Sequence, residues 1–254
     1  MTRRTKQRGT ADAPAWEAPR PQTMVDYAAA AIISGAARGV ILPGDRIVEA
    51  DLSEGLGMSR VPIREALRLL ESQGVVTSEP YKGIRLMEVS HERLHQVLDV
   101  RVSIEQLAVR RAIEAKANSG EGIERLKAAR DDLAVKAGLG DSYAFALADA
   151  AFHRVLVQLA GNPVLSNLWE SLARQMTIIV GLSTLAKSME SIVEEHDLII
   201  EVFQSGNKKN MERVMHDHIV VLSETIDFDT MIQNQRKERE SRLPSRRSRN
   251  PSAS

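Results

Sequence analysis

GMSRVPIREALRLLESQGVV, residues 57–76, decides the fold of the first part of the chain. Ser59 stands where the N-cap of a helix belongs, and Pro62 falls in the first turn, where its missing N–H costs nothing. Four apolar residues then recur at helical spacing and predict a buried face: Ile63, Ala66, Leu67 and Leu70. Three arginines recur every fourth residue on another face: Arg60, Arg64 and Arg68.

The segments on either side of this helix predict a small domain around it. A helical pattern runs over residues 23–38, LPGD at 42–45 is a turn signal, and a short helix follows around 50–55. Two apolar stretches further on are typical of strands joined by a turn at 80–83. Three helices followed by a hairpin predict a winged helix-turn-helix over residues 23–89.

The arginine stripe predicts a DNA-binding surface. A guanidinium group can reach guanine O6 and N7 or a phosphate, and the free amides at a helix N-terminus favour a phosphate. Lys82 and Gly83 lie at the predicted hairpin tip, from which they can reach the DNA backbone or the minor groove. The alternative is a solvated helix in which Arg64 and Arg68 pair with neighbouring glutamates.

The rest of the folded chain is predicted to be helical, with Ser90 as the first N-cap. The helical segments are expected at about 91–117, 121–136, 141–160, 163–183, 187–205 and 208–227. The sequence therefore predicts a mainly α protein, in which an all-α bundle of about six helices at residues 90–228 follows the winged helix-turn-helix.

Three histidines and one aspartate fall on apolar faces of three of these helices: Asp149, His153, His196 and His218. Neutral imidazoles with one carboxylate are a ligand set for Zn²⁺, Ni²⁺, Mn²⁺ or Fe²⁺, with open positions for water or an anion. We expect zinc first, and the ion would offset the cost of burying Asp149. The alternative is that each histidine is a core residue held by hydrogen bonds.

Composition and charge restrict the class of protein. The chain has no cysteine, no apolar run near the roughly 18–20 residues that span a bilayer, and no secretion signal. A cytoplasmic protein without membrane contact is therefore expected. Residues 91–230 hold fifteen basic and twenty-one acidic side chains, whereas both ends of the chain are basic. The Pro, Ser, Gly and Arg content of residues 1–22 and 229–254 predicts disordered basic tails.

The first part of the chain resembles the DNA-binding domain of the GntR family of bacterial transcription regulators. The matching pieces are LPGD, E-x-x-L-S, G-M-S-R-x-P-x-R-E-A-L, L-E-x-x-G-V-V and the K-G of the wing, within residues 25–88. The resemblance implies DNA contacts from six residues: Ser59, Arg60, Val61, Arg64, Lys82 and Gly83. Ala50 replaces an arginine that touches DNA in some members, so base preference is expected to differ.

Residues 91–226 resemble the FCD domain, the ligand-binding bundle of the FadR-like branch of that family. The matching pieces are R-V-S-I-E, D-A-A-F-H, A-G-N-P, E-H-D-L-I-I and H-D-H-I. The resemblance implies that the aspartate and the three histidines bind a metal and that a small organic acid completes the coordination. It also implies that Arg101 grips the carboxylate of this effector. The alternative for Arg101 is a buried salt bridge with Glu105.

The expected function is a metabolite-responsive transcription regulator, a repressor, that binds a short inverted repeat in operator DNA as a homodimer. Metal and carboxylate in the bundle would shift the DNA-binding domains between geometries that do and do not fit the operator. The alternative from another class is a metalloenzyme that acts on a carboxylate substrate through a His3Asp ion. An enzyme would leave the arginine stripe unexplained, and an architectural DNA-binding protein would leave the buried ligands unexplained.

Overall fold

The computed structural model describes residues 23–242, and no helix within that stretch is long and apolar enough to cross a membrane. The elements of this stretch are α1 (Met24–Ala37), β1 (Arg46–Ile47), α2 (Glu49–Leu56), α3 (Arg60–Ser72), β2 (Val76–Glu79), β3 (Gly83–Leu86), α4 (His91–Glu114), α5 (Glu121–Leu139), α6 (Ser142–Gln158), α7 (Pro163–Ser183), α8 (Met189–Ser205), α9 (Lys208–Thr225) and α10 (Phe228–Arg242). The order confirms the predicted winged helix-turn-helix followed by a helical bundle.

The first module is built on the helix that the opening stretch predicts. The four apolar residues of α3 are buried as expected, and α3 packs against α1 and α2. The strands of this module form an antiparallel sheet in the order β1-β3-β2, in which Val76 pairs with Leu86 and Glu79 pairs with Gly83. Strand β1 was not predicted, because two residues are too short to show a pattern.

The bundle places α6 at its centre, packed against α4, α5 and α7, while α9 packs against α4 and α8. Large side chains fill the core around it, among them Phe145, Phe152, Trp169 and Phe203. Helices α6, α7, α8 and α9 are each preceded by an N-cap residue whose side chain accepts backbone N–H groups of the first turn: Asp141, Asn162, Ser188 and Asn207. The start and the end of each of the six predicted bundle helices, α4 to α9, lie within three residues of the prediction.

Helix α10 corrects the prediction of a disordered tail from residue 229. Phe228 and Ile232, one turn apart on this helix, are buried in the core, and an apolar stripe of this kind stabilises a helix. On its polar side Arg239 pairs with Asp45 at 2.9 Å, and Arg236 donates to the carbonyl oxygen of Pro43. The helix is thus held by the turn that precedes β1. The tail predictions for residues 1–22 and 243–254 lie outside the described residues.

The two modules pack through α1, which lies against α6 and α7. Gly181 permits this contact, since a Cβ at that position would lie 2.6 Å from the Cβ of Ala37. Arg38 adds an ion pair with Asp141 at 2.7 Å. At the end of α3, the side chain of Gln175 donates to the backbone oxygen of Gln73 at 2.8 Å. The first module therefore rests directly on α7 and on α6, the helix that carries Asp149 and His153.

Candidate metal centre and DNA-binding surface

Helices α6, α8 and α9 bring the four predicted metal ligands to one point inside the bundle. The Nε2 atom of His196 lies 3.3 Å from Asp149 Oδ1, and that of His153 lies 4.0 Å from the same oxygen. The Nε2 atoms of His153 and His218 are 3.3 Å apart. One ligand atom from each residue lies within 4.8 Å of all the others, which is the proximity that one bound ion requires.

The Nδ1 atom of each of the three imidazoles faces an oxygen atom that does not belong to the four predicted ligands. His153 Nδ1 lies 2.7 Å from Glu105 Oε2, and His218 Nδ1 lies 3.0 Å from Glu195 Oε2. His196 Nδ1 lies 2.7 Å from the carbonyl oxygen of Ile192. Since only a protonated nitrogen can donate to these oxygens, each neutral ring carries its proton on Nδ1 and directs the Nε2 lone pair inward.

Burial keeps the cluster in the charge state that metal binding needs. It lowers the pKa of His218 to about 4 and also lowers the pKa of His153, so both rings are neutral near pH 7. Burial alone would raise the pKa of Asp149, but the side chains around it, among them the positively charged Arg101, outweigh this effect. The pKa of Asp149 therefore lies below its usual range, and the carboxylate is ionised.

Arg101 forms a buried salt bridge with Glu105, which is the alternative to effector binding that the sequence left open. Its Nε donates to Glu105 Oε1 at 2.7 Å, and Trp169 Nε1 donates to the same oxygen at 2.9 Å. Burial disfavours the ionised form of Glu105, but the positive charge of Arg101 and the hydrogen bond from His153 Nδ1 hold its pKa below the usual range. An effector carboxylate would have to meet the outer Nη groups of Arg101, because Nε already has an acceptor.

Glu105 was named from the sequence only as the alternative partner of Arg101, and the contacts that Glu105 makes with His153 and Glu195 with His218 were not predicted. Glu105 lies one turn after Arg101 on the inward face of α4, so its position on the apolar face was a usable signal. Glu195 adjoins His196 in sequence but contacts His218 on the next helix. That contact depends on how α8 packs against α9, so no pattern within either helix sequence predicts it.

A cavity of about 210 Å³ opens beside the cluster between α8 and α9. It is lined by Glu195, Leu198, Arg213, Val214, Asp217 and His218. The ring of His218 thus separates the buried ligand atoms from a space that a small molecule can enter. Arg213 provides a positive charge at the wall, paired with Asp217 at 3.1 Å.

The predicted DNA-contacting residues of α3 lie together on an exposed surface. Ser59, Arg60, Val61 and Arg64 are all exposed at its N-terminal end, and the apolar Val61 has 64% of its surface accessible. Ser59 occupies the N-cap position as expected, yet it accepts no cap hydrogen bond from the described backbone. Its hydroxyl group and the first-turn amides are therefore available to an anion. Arg64 pairs with Glu49 of α2 at 2.7 Å.

The wing tip presents Lys82 and Gly83 as predicted and adds a residue that was missed. Lys82 is exposed and pairs with Glu79 at 2.6 Å, while Gly83 adopts a φ of 79° that the turn requires. Tyr81 beside them is fully exposed and has a φ of 66°. The aromatic ring is therefore held out into solvent at the tip of the wing, within the turn predicted at residues 80–83.

Residues 27–86 match the family described as bacterial regulatory proteins, gntR family, and residues 96–220 match the FCD domain. The uncharacterized HTH-type transcriptional regulator YdhC of Bacillus subtilis is 30% identical over 172 residues, which cover 67% of this chain and 76% of that protein. The chain belongs to the GntR family. Both resemblances of the sequence analysis, to the GntR DNA-binding domain and to the FCD domain, are thereby confirmed.

Two further comparisons describe this GntR-family protein. It is 26% identical over 188 residues to the probable D-xylose utilization operon transcriptional repressor of Paenarthrobacter nicotinovorans, covering 74% of this chain and 82% of the relative. The solved structure of E. coli McbR/YncC has a TM-score of 0.64 at 21% identity, covers 80% of this chain and 98% of its own, and so shows the same fold.

The family decides between the functions considered from the sequence. GntR-family proteins are transcription regulators that bind operator DNA, and the relatives of this chain are named as regulators and not as enzymes. The protein is therefore a transcription regulator, and the metalloenzyme alternative is wrong.

Proposed function

We propose that this regulator is a repressor whose bundle holds a divalent transition metal and a small carboxylate, and that the bound pair controls operator binding. One observation carries the proposal. His196 Nε2 is buried without a hydrogen-bond partner among residues 23–242, 3.3 Å from the ionised Asp149. With the ring proton on Nδ1, two acceptors face each other there, and a cation between them satisfies both.

The charges around the cluster support the same conclusion. Apart from the histidines, the buried residues within 23–242 contribute one positive charge, Arg101, and two negative charges, Glu105 and Asp149. A divalent cation offsets the excess negative charge, which would otherwise lie uncompensated in the core. Three imidazoles and a carboxylate suit zinc, with nickel, manganese and iron(II) also compatible.

The carboxylate is proposed from the surroundings of the metal ligands. When bound, the ion would supply a Lewis-acidic centre for an anionic oxygen ligand. Arg101 lies close enough for its charge to act on Asp149, and its planar guanidinium suits a carboxylate. The cavity beside His218 gives a small acid a way toward the cluster.

The DNA-binding part of the proposal assigns base and phosphate contacts to the exposed end of α3 and to the wing. The six predicted contact residues lie in these two places, and the relative from Paenarthrobacter nicotinovorans is named a probable transcriptional repressor. A homodimer would place two such modules on a short inverted repeat of operator DNA. Binding to chromosomal DNA would place the protein in the cytoplasm.

Elemental analysis of untagged protein, purified without chelators, tests the metal assignment. We expect about one transition-metal ion per subunit in the wild type and none in His196→Ala. His216→Ala is the matched control, because His216 lies on α9 with 57% of its side chain exposed and should leave the metal content unchanged. Metal-free wild type after soaking with zinc, nickel and manganese would contradict the proposal and return the histidines to the core.

A duplex selected from a random library tests the DNA assignment. Arg60→Ala and Arg64→Ala should lose sequence-selective binding and keep the metal, whereas His196→Ala should lose the metal and keep duplex binding. Selective binding should also weaken steeply with salt, because phosphate contacts release counterions. Loss of both properties in the same variant would contradict the separation into two modules.

A further inference from the structure

We propose that Glu49 is a positioning residue that fixes the direction in which Arg64 meets DNA and so sets the base preference of α3. The proposal rests on the proposed function, in which Arg64 contacts the operator. Glu49 is the first residue of α2, and its Oε2 accepts the Nε–H of Arg64 at 2.7 Å. The contact therefore joins the two helices of the helix-turn-helix at the side chain that is proposed to contact DNA.

The contact with Glu49 leaves the two Nη groups of Arg64 available to DNA. Arg64 uses Nε toward Glu49, and 56% of its side chain remains exposed. The two Nη groups are the donors that make paired hydrogen bonds to O6 and N7 of guanine. A carboxylate on the inner nitrogen holds the planar group in one orientation before DNA arrives, which reduces the conformational freedom that binding would remove.

Arg64 differs in this respect from the other arginines of its stripe. Arg60 and Arg68 form no ion pair with any carboxylate of the described residues 23–242, and both are exposed. A long, mobile cation suffices for a phosphate, which accepts hydrogen bonds from many directions. A base edge demands one direction, and the only fixed arginine of these three is the one held by Glu49.

A carboxylate at a DNA-facing surface also has a cost, and this cost makes the proposal testable. Its charge opposes the phosphates, so Glu49 should lower affinity for any duplex while raising discrimination between sequences. A simpler role for Glu49 is to stabilise the start of α2 through its negative charge. The N-cap residue of this helix, Val48, has no side-chain group that can accept a backbone N–H. That role predicts an effect on helix stability and none on base preference.

Two substitutions of Glu49 separate the effect of its side-chain length from the effect of its charge. Glu49→Asp keeps the charge and the acid at the start of the helix, but its shorter side chain withdraws the carboxylate from Arg64. Glu49→Gln removes the charge and keeps an oxygen that can accept from Nε. Asp51→Asn is the matched control, since Asp51 is an exposed acid in the same turn of α2.

The measurement is the affinity of the full-length protein for a library-selected duplex, for its single-base variants and for a scrambled duplex, at one salt concentration. Glu49→Asp should lose about tenfold in discrimination at one base pair of each half-site, a loss of the size that one paired contact provides. Its affinity for the scrambled duplex should not change. Glu49→Gln and Asp51→Asn should bind the scrambled duplex more tightly and keep full discrimination.

Discrimination that is unchanged in Glu49→Asp would overturn the proposal. Arg64→Ala, measured in parallel, separates the role of Glu49 from the assignment of Arg64 to base recognition. If Arg64→Ala loses discrimination at one base pair and Glu49→Asp does not, Arg64 reads the base without help from Glu49. If Arg64→Ala keeps full discrimination, the assignment of Arg64 to base recognition is itself wrong.

Discussion

Metal binding should stabilise the folded protein, because the four ligand atoms meet only when α6, α8 and α9 are packed. The perturbation is the addition of zinc to chelator-stripped protein. The central atoms in the metal-free state are a carboxylate and imidazole lone pairs, with His196 Nε2 unpartnered in the described residues. The ion therefore needs to displace no proton from a ring nitrogen, and its binding energy is added to the free energy of unfolding.

The expected size follows from linkage. At a free zinc concentration 100 times the Kd, binding to the folded state alone contributes about 2.7 kcal/mol. In a protein of this length each kcal/mol raises the Tm by roughly 2–4 °C, so we expect a shift of about 5–11 °C. The assay is calorimetry of the stripped protein with and without zinc, repeated on His196→Ala and on the surface control His216→Ala.

The comparison between variants decides the result. The control should show the full shift, and His196→Ala should show little or none. An equal shift in His196→Ala would refute the reasoning, because the zinc would then be bound elsewhere. The pair His91 and His95 on α4 is such a site, with Nε2 atoms 3.0 Å apart. No shift in the wild type with zinc, nickel or manganese would equally refute it.

Three further predictions concern the contacts around the site and between the modules. Glu105→Gln leaves Arg101 buried without its counter-charge and should cost about 3–5 kcal/mol in urea unfolding; a cost below about 1 kcal/mol would show that the pair is dispensable. Gly181→Ala should cost about 1–3 kcal/mol in the same assay, because its Cβ meets Ala37, and an unchanged midpoint would mean that α1 and α7 separate freely. Asp45→Ala removes two partly exposed ion pairs, with Arg236 and Arg239, and the acceptor of the Leu42 N–H, so the substitution should cost about 1–2 kcal/mol in unfolding. Amide exchange in α10 should accelerate, and unchanged exchange would show that the ion pairs do not hold the helix.

The helices could be predicted from sequence because their signals are local. Caps such as Ser90 and the apolar stripe of α3 each depend on residues a few positions apart. Helix α10 was missed because its main polar partner, Asp45, lies 194 residues earlier in the chain. Its many charged residues hid an apolar pair that has meaning only once a core exists to receive it.

The cluster of four proposed metal ligands was predictable for a similar reason, since a single polar residue on an apolar helix face is visible in a sequence. The contacts that orient them were not, because Glu195 reaches His218 across a helix boundary. For Arg101 the sequence allowed two partners, an effector carboxylate or Glu105, and only the packed structure shows how close Glu105 lies. The pairing of Arg64 with Glu49 likewise joins separate helices.

The most direct test of the account is the affinity of wild type and His196→Ala for a library-selected duplex, in zinc, with and without a panel of small carboxylic acids. The account predicts that at least one acid lowers the affinity of the wild type by about tenfold, within the usual range of allosteric coupling. His196→Ala should bind the duplex as tightly as the wild type and should not respond to that acid. An equal response in His196→Ala, or a wild type that no acid affects, would contradict the claim that the metal cluster controls operator binding.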